Sequence, residues 1–285
     1  MANRWDLPML GYGIGLRTVH FGEILDRRPE IDFFEAITEN FLDTGGRPLH
    51  VLDRVAERTP LVLHGVSLNI GSSDPLDLDY LRKVKELARR VNAPWVTDHL
   101  CWTGVAGRNV HDLLPLPMNE ETLAHVVRRV RTVQDFLERP IHLENPSTYL
   151  EFETSTISEA EFLARLTSQA DCGLLLDVNN AFVSAFNHGW DAAAYIDAIP
   201  TDRVVQVHLA GHTDKGTHLL DTHSDHVRSE VWELYARLVS RTGPVTTLVE
   251  WDEEIPAFAV VHAEALKARD VASRASGPAD VRVAA

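Results

Sequence analysis

The stretch Gly173-Leu174-Leu175-Leu176-Asp177-Val178-Asn179-Asn180 decides the architecture. Half-buried antiparallel strands alternate apolar and polar side chains, whereas a strand covered on both faces is apolar throughout. Residues 173–178 therefore read as a buried parallel strand, and Asp177 marks its carboxyl end. Runs of the same kind recur at Gly11–Leu16, Asp32–Ile37, Pro60–Leu68, Ala93–Leu100, Pro140–Glu144, Arg203–Leu209 and Pro244–Trp251. Prolines 60, 94, 140 and 244 fall at strand starts, where a missing N–H is tolerated.

Between these runs lie helical patterns near Phe21–Arg28, Leu49–Arg58, Asp79–Val91, Glu120–Leu137, Glu159–Gln169, Ala192–Ile199, Ser229–Arg241 and Pro256–Ala268. Asn119 stands as an N-cap before Glu120 and Glu121, and Ser158-Glu159-Ala160-Glu161 reads as a capping box. Strict strand-then-helix alternation implies right-handed crossovers and a parallel sheet. An open doubly wound sheet would give a similar string, but no glycine-rich dinucleotide fingerprint follows any strand. The expectation is an α/β protein, a single (β/α)8 TIM barrel over residues 1–269, with a disordered tail at residues 270–285.

The composition is that of a globular chain: 285 residues, 45% hydrophobic and 24% charged. Its 27 basic and 42 acidic side chains give a net charge of −15. Such a surface is repelled by nucleic acid and anionic membranes, so neither is expected as a partner. Cys101 and Cys172 form no disulfide framework or zinc knuckle pattern. Met1–Pro8 has no signal-peptide character, and no run of about 18 apolar residues is present. A cytoplasmic location is the expectation.

Read together, the strand ends carry the chemistry. Six successive apolar runs finish at His64, at Asp98-His99, at His142-Leu143-Glu144, at Asp177, at His208 and at Glu250. In a barrel these ends converge on one rim. One such histidine would ordinarily be structural. Six ends in register are not explained by packing, because unpaired carboxylates at a barrel mouth are costly to desolvate. Bound cations remove that cost. With Asp221 and His223 in the following loop, the donors exceed what one ion takes, so two or three ions are expected. Imidazole and carboxylate without thiolate suit iron, manganese or zinc.

Other polar residues border this set. Arg17 and His20 follow the first strand and can serve a substrate anion or the structure. Glu35, Glu39 and Asn40 follow the second, where loop capping is an equal alternative. His188 lies in the loop after the sixth strand, and His212 closes the seventh. Asp98, Asn145 and Asn179 are candidates to support the ligands. His142 shares a strand face with Glu144 and reads as lining the barrel below the metals. The remaining histidines read as surface or turn residues. No Ser–His–Asp elbow, P-loop or HExxH helix is present.

The motifs GIGLR (13–17), EAITENF (35–41), LHGVSLNIGS (63–72), TDHL (97–100), DLLPLP (112–117), LENPSTYL (143–150), LLLDVNNAFVSAFNHG (174–189), VHLAGH (207–212), DTH (221–223) and VEWD (249–252) together resemble one family, the multinuclear non-haem iron-dependent oxidative enzymes. Members include the methanobactin-forming enzyme and the enzyme that excises a carbon from a C-terminal cysteine. The resemblance runs from about Gly11 to Ala268. It implies a TIM barrel with two or three iron ions, mixed Fe2+ and Fe3+, that uses O2 to modify a precursor peptide, often at cysteine. It also implies a separate partner protein that binds the peptide's leader. Carried over by motif, the ligands are His64, His99, Glu144, Asp177, Asn180, His208, Asp221, His223 and Glu250. An aspartate stands at the place of Asn180 in some relatives, and His142 stands where an aliphatic residue is expected.

Two rival classes remain. Xylose-isomerase-like barrels, among them zinc endonucleases and zinc- or manganese-dependent isomerases, place the same residue types at strand ends. The net charge opposes a nucleic-acid substrate. A non-catalytic metal-binding module is the third class, disfavoured because structural sites tend to be coordinatively closed.

Overall fold

The computed structural model describes residues 3–276. Eight parallel strands close into a barrel: β1 (Tyr12–Gly15), β2 (Phe34–Ile37), β3 (Leu61–Gly65), β4 (Val96–His99), β5 (His142–Glu144), β6 (Gly173–Asp177), β7 (Val204–Leu209) and β8 (Thr246–Val249). Each strand pairs with its neighbours in sequence, and β8 closes on β1 with Thr247 opposite Tyr12. All eight expected strands are present, trimmed at their ends because prolines and turn residues stay outside the ladder.

The enclosing helices are α1 (Phe21–Arg27), α2 (Arg47–Ala56), α3 (Leu78–Arg90), α4 (Glu120–Leu137), α5 (Glu159–Ala170), α6 (Val178–His188), α7 (Ala192–Ala198), α8 (Ser229–Thr242) and α9 (Phe258–Ala275). Helix α6 was not expected. Asp177 ends β6 and at once caps α6, its carboxylate accepting from the Asn180 N–H at 2.6 Å, so no loop separates strand from helix. An antiparallel hairpin, Trp102–Val105 with Arg108–Leu114, also went unread after β4. Helix α9 continues past residue 269 to Ala275, because Ala272 keeps the buried stripe of the helix going. The rest of the expected tail lies outside the described residues.

Alternation along the strands separates two apolar regions. Outward residues such as Leu61, Leu63, Leu174 and Leu176 pack beneath the helices. Phe33, Val62, Trp95, Val205 and Leu248 fill the barrel floor, with Trp5, Leu7 and Leu10 packed against them. Glycines make room there. A Cβ on Gly13 would lie 2.5 Å from the Phe33 ring, and one on Gly173 would lie 2.2 Å from His142 Nδ1. The second contact accounts for His142: its strand partner Gly173 leaves space that an imidazole fills beside Trp5, with ring centroids 5.3 Å apart. At the other end, the register sets His99 opposite Glu144 and Asp177 opposite His208.

Candidate metal centre

Above the floor, the six strand-end donors meet in one buried cluster. His64 and His99 each use one ring nitrogen to fix the other. His64 Nδ1 lies 2.7 Å from the Thr97 hydroxyl, which donates onward to the Leu63 carbonyl at 3.3 Å. His99 Nδ1 donates to the Gly65 carbonyl at 3.1 Å. With Nδ1 held in this way, each ring turns its Nε2 to the cluster, and both point at Glu144 Oε2, at 3.1 and 3.2 Å.

His208 is oriented the opposite way. Its Nε2 faces the Glu35 carboxylate at 3.1 Å, and Glu35 also accepts from the Gln206 side chain, whose own oxygen accepts from Trp95 Nε1 at 2.7 Å. This buried chain leaves His208 Nδ1 directed at Glu250 Oε2 (3.0 Å) and Glu144 Oε1 (3.6 Å). His223 joins from the loop before α8, with Nδ1 3.1 Å from Glu250 and Nε2 2.8 Å from Asp221 and 3.7 Å from Asp177. Its backbone is left-handed, φ +44°, a strained conformation that a β-unbranched side chain tolerates and that function commonly exploits.

These side chains form overlapping donor groups: His64, His99 and Glu144; Glu144, Asp177, His208 and Glu250; His64, His208 and Glu250; and His223, Glu250 and Asp252. Glu144, Glu250, His64 and His208 each belong to more than one, so the groups form one continuous cluster. The charge balance points the same way. Burial pushes the Asp177 carboxyl well up, opposed by His223 and reinforced by Glu144 and Asp221. Burial also pushes Glu144 and Glu250 up, but the facing imidazoles outweigh it and hold both low. For His64, burial acts downward while Glu144 and Glu35 lift it to about 9. Among the described residues, Glu144 Oε2, Asp177 Oδ2 and His208 Nδ1 nevertheless stay buried without a hydrogen bond of good geometry, ion-pair neighbours aside. Such atoms are costly to desolvate, and divalent cations would satisfy them together. The donor set fits metal.

The sequence candidates separate into groups. Asn180 is buried beside the cluster, its Oδ1 3.4 Å from His223 and its amide donating to the Asn145 carbonyl at 3.0 Å. Asn145 exchanges two bonds with the Asp177 backbone. His212 Nδ1, Asn179 and Asp221 form a chain, with contacts of 2.8 and 2.7 Å. Arg17 holds Glu250 at 3.1 Å and also pairs with Asp252. Five candidates lie elsewhere. Strand alternation turns Asp98 outward, where it and Glu39 share the Tyr80 hydroxyl (3.4 and 2.7 Å) and accept from the Leu68 and Val66 N–H groups. His20 bonds the Pro256 carbonyl at 2.8 Å, tying the first loop to the approach to α9. His188 bonds Thr148 at 2.9 Å and stacks on Trp190. Asn40 is exposed at the end of a 3-10 turn. Asp252, Thr97 and Gln206 were missed. Asp252 stood in the quoted VEWD, and its offset of two from Glu250 was the available signal. Cys101 and Cys172 are buried free thiols.

The cluster opens into a cavity of about 420 Å³, walled by Leu113, Pro146, Ser147 and Tyr149 besides the ligands. That volume suits a small ligand or one residue of a larger one. Arg17 is the one Lys or Arg among the described lining residues.

Fold and donor set together define a TIM barrel with a cluster of potential metal-binding side chains at the carboxyl ends of its strands. The chain belongs to the MbnB/TglH/ChrH family of RiPP precursor modification enzymes, whose family model matches residues 11–273. It is 52% identical over 267 residues to a UPF0276 protein of Anaeromyxobacter sp. strain Fw109-5, covering 94% of each chain. It is 52% identical over 250 residues to a UPF0276 protein of Caulobacter vibrioides NA1000, covering 87% of this chain and 89% of that one. Among solved structures, D-psicose 3-epimerase from Clostridium cellulolyticum H10 superposes with a TM-score of 0.61 at 11% identity, over 93% of this chain and 99% of that one. Endonuclease IV from Thermus thermophilus gives 0.59 at 17% identity, over 94% and 100%. These likenesses show the barrel fold.

Proposed function

We propose that this chain is an iron-dependent oxidoreductase that uses O2 to modify a residue, cysteine foremost, in a ribosomally made precursor peptide. It would hold two or three iron ions in mixed Fe2+ and Fe3+ states and act in the cytoplasm with a separate protein that binds the peptide's leader. The observation that carries this reading is the number of donors in one continuous cluster, eight side chains across the overlapping groups, which suits neighbouring ions better than one. Membership of a precursor-modifying family supports the peptide.

His64, His99, Glu144, Asp177, Asn180, His208, Asp221, His223 and Glu250 would hold the ions. Bound iron would supply O2 activation and oxidation of the substrate. The chain's own contribution is orientation and charge. Thr97, the Gly65 carbonyl and Glu35 set which nitrogen of each histidine faces the cluster. Arg17 compensates the outer carboxylates. Tyr149, whose hydroxyl accepts from the Asp221 N–H at 2.9 Å, braces the loop that carries Asp221 and lines the cavity. Among the described residues, no helix is long and apolar enough to cross a membrane.

Metal analysis with Mössbauer spectroscopy on anaerobically purified protein tests the reading. Two or three irons per chain, partly ferrous and losing activity on full oxidation, are expected. Stoichiometric zinc or manganese that persists after iron-supplemented expression would replace it with a hydrolase or isomerase.

A further inference from the structure

A second cavity, of about 340 Å³, lies behind one wall of the metal cavity. The segment from Pro146 to Phe152 divides the two. Its Pro146, Ser147 and Tyr149 line the metal side, whereas Thr148, Leu150, Glu151 and Phe152 line the other. The far walls come from the starts of α5 and α7 and from Leu116, Met118 and Trp190. Glu151, Glu159 and Asp191 line this space, and among the described residues no Lys, Arg or His does.

Glu159 is out of place for its position. It is the first residue of α5, where a carboxylate ordinarily sits in water beside the helix N-terminus. Here it is only 5% exposed. Helix capping does not employ it, since Ser158 caps α5 through the Glu161 N–H. Its one hydrogen bond comes from the Tyr195 hydroxyl, which donates to Oε1 at 2.7 Å. Burial pushes this carboxyl up to about 7, with the Tyr195 bond opposing. A neutral phenol does not compensate a buried carboxylate, and acidic residues are seldom buried without a cation. Asp191 is already engaged by the N–H groups of Ala193 and Ala194, and Glu151 by Trp190 Nε1. Each of the three thus keeps one oxygen free, but Glu151 and Asp191 are exposed to water and Glu159 alone of them is buried, so it is the carboxylate with most to gain from a cation.

We infer that this cavity is a subsite for an arginine or lysine side chain of the peptide substrate, its cationic head on Glu159 and its methylene stem against Phe152, Trp190 and Leu116. Apolar walls take the stem, aromatic faces and a carboxylate take the charge, and the flanking acids exclude anions. Because one segment walls both cavities, a side chain seated here would set which neighbouring residue reaches the metals. The peptide part of the inference rests on the proposed function.

The test titrates Nα-acetyl-arginine amide and its neutral isostere Nα-acetyl-citrulline amide at pH 8. The protein carries 13C-methyl methionine, with Met118 as the reporter in the wall. The arginine probe should shift the Met118 methyl, and citrulline should bind about tenfold more weakly or worse, the loss of one charge-assisted contact. Glu159→Gln should erase the preference, and Ala194→Trp should block both probes by filling the cavity. Equal binding of citrulline, a preference that survives Glu159→Gln, or a Met118 signal unmoved by arginine would overturn the inference. Repeating the titration on His64→Ala keeps the readout free of the metal centre. Failure here then leaves the peptide-modifying reading standing, and failure of that reading leaves the cation pocket standing.

Discussion

His142 and Glu144 sit two residues apart on the same face of β5, and each is 1% exposed. They mark opposite ends of the barrel interior and carry opposite chemistry. Around Glu144 stand His64, His99 and His208, whose charge overrides burial and keeps the carboxyl low. Around His142 stand Trp5 and Gly173, and burial, with the Arg139 charge adding, pushes the imidazole down to about 3. Depth is the same in both places, so depth does not decide ionisation; the neighbours do. The closed end tolerates a solitary neutral ring. The open end concentrates carboxylates that stay together only with protons or cations among them.

That contrast can be broken at one end at a time. The largest effect is expected from Asp177→Asn. Asparagine keeps the cap on α6 but removes the charge that Glu144 and Asp221 repel. Turnover should fall to background and at least one cation equivalent should be lost, while the melting temperature of chelator-treated protein holds or rises. A variant with its full metal complement and activity would remove Asp177 from the centre.

His142→Leu attacks the floor and should leave metal content and activity unchanged. Its effect is on stability against pH. The imidazole takes a proton near 6.5 in the unfolded chain but only near 3 in the fold, so the unfolded state binds more protons between those values. The stabilisation is complete above pH 6.5 and is lost as pH falls toward 3. At pH 4.5 the leucine variant should gain roughly 2–3 kcal/mol on the parent relative to their difference at pH 7.5, from about 1.4 kcal/mol per unit. Urea unfolding at the two pH values measures it. Parallel losses in both proteins would show that His142 is solvated or paired.

The two ends were also unequally legible. Strand-end donors could be read because a polar residue closing an apolar run breaks a period, and six breaks align in one topology. Asp221 and His223 belong to an irregular loop, where no period is broken; their nearness to the seventh strand end brought them forward, and the resemblance to a family motif made them ligand candidates. Asp98 misled because adjacency in sequence hides alternation: His99 faces in, so Asp98 faces Tyr80. Helix α6 escaped because Asp177 is strand end, cap and candidate ligand at once, and nothing between strand and helix resembles a turn. His142 lies at the floor below the donor cluster, but its reason, a glycine thirty-one positions on in the neighbouring strand, is a pairwise fit that appears only when Gly173 and His142 are in register.

Glu35 lies between the two ends, and its replacement by glutamine sharpens the comparison by the smallest expected step. Two donors converge on its carboxylate: the Gln206 amide and His208 Nε2. Glu35→Gln removes the charge and sets a donor NH2 group where one carboxylate oxygen stood, so it weakens the hold on the Gln206 amide and on His208 Nε2. If His208 yields, its proton can move to Nδ1, the nitrogen directed at Glu250 and Glu144, and the ring then presents a donor where a lone pair is required. Metal affinity should fall about 10- to 100-fold, the usual cost of losing such support, while Asp177 and the floor are untouched. Nitrogen-15 NMR of the chelator-treated protein separates this from a general loosening: the parent should show His208 Nε2 hydrogen-bonded to Glu35, and the variant should lose that bond. An unchanged Nε2 signal with unchanged affinity would reduce Glu35 to a packing residue. The polar end would then owe its order to the strands alone.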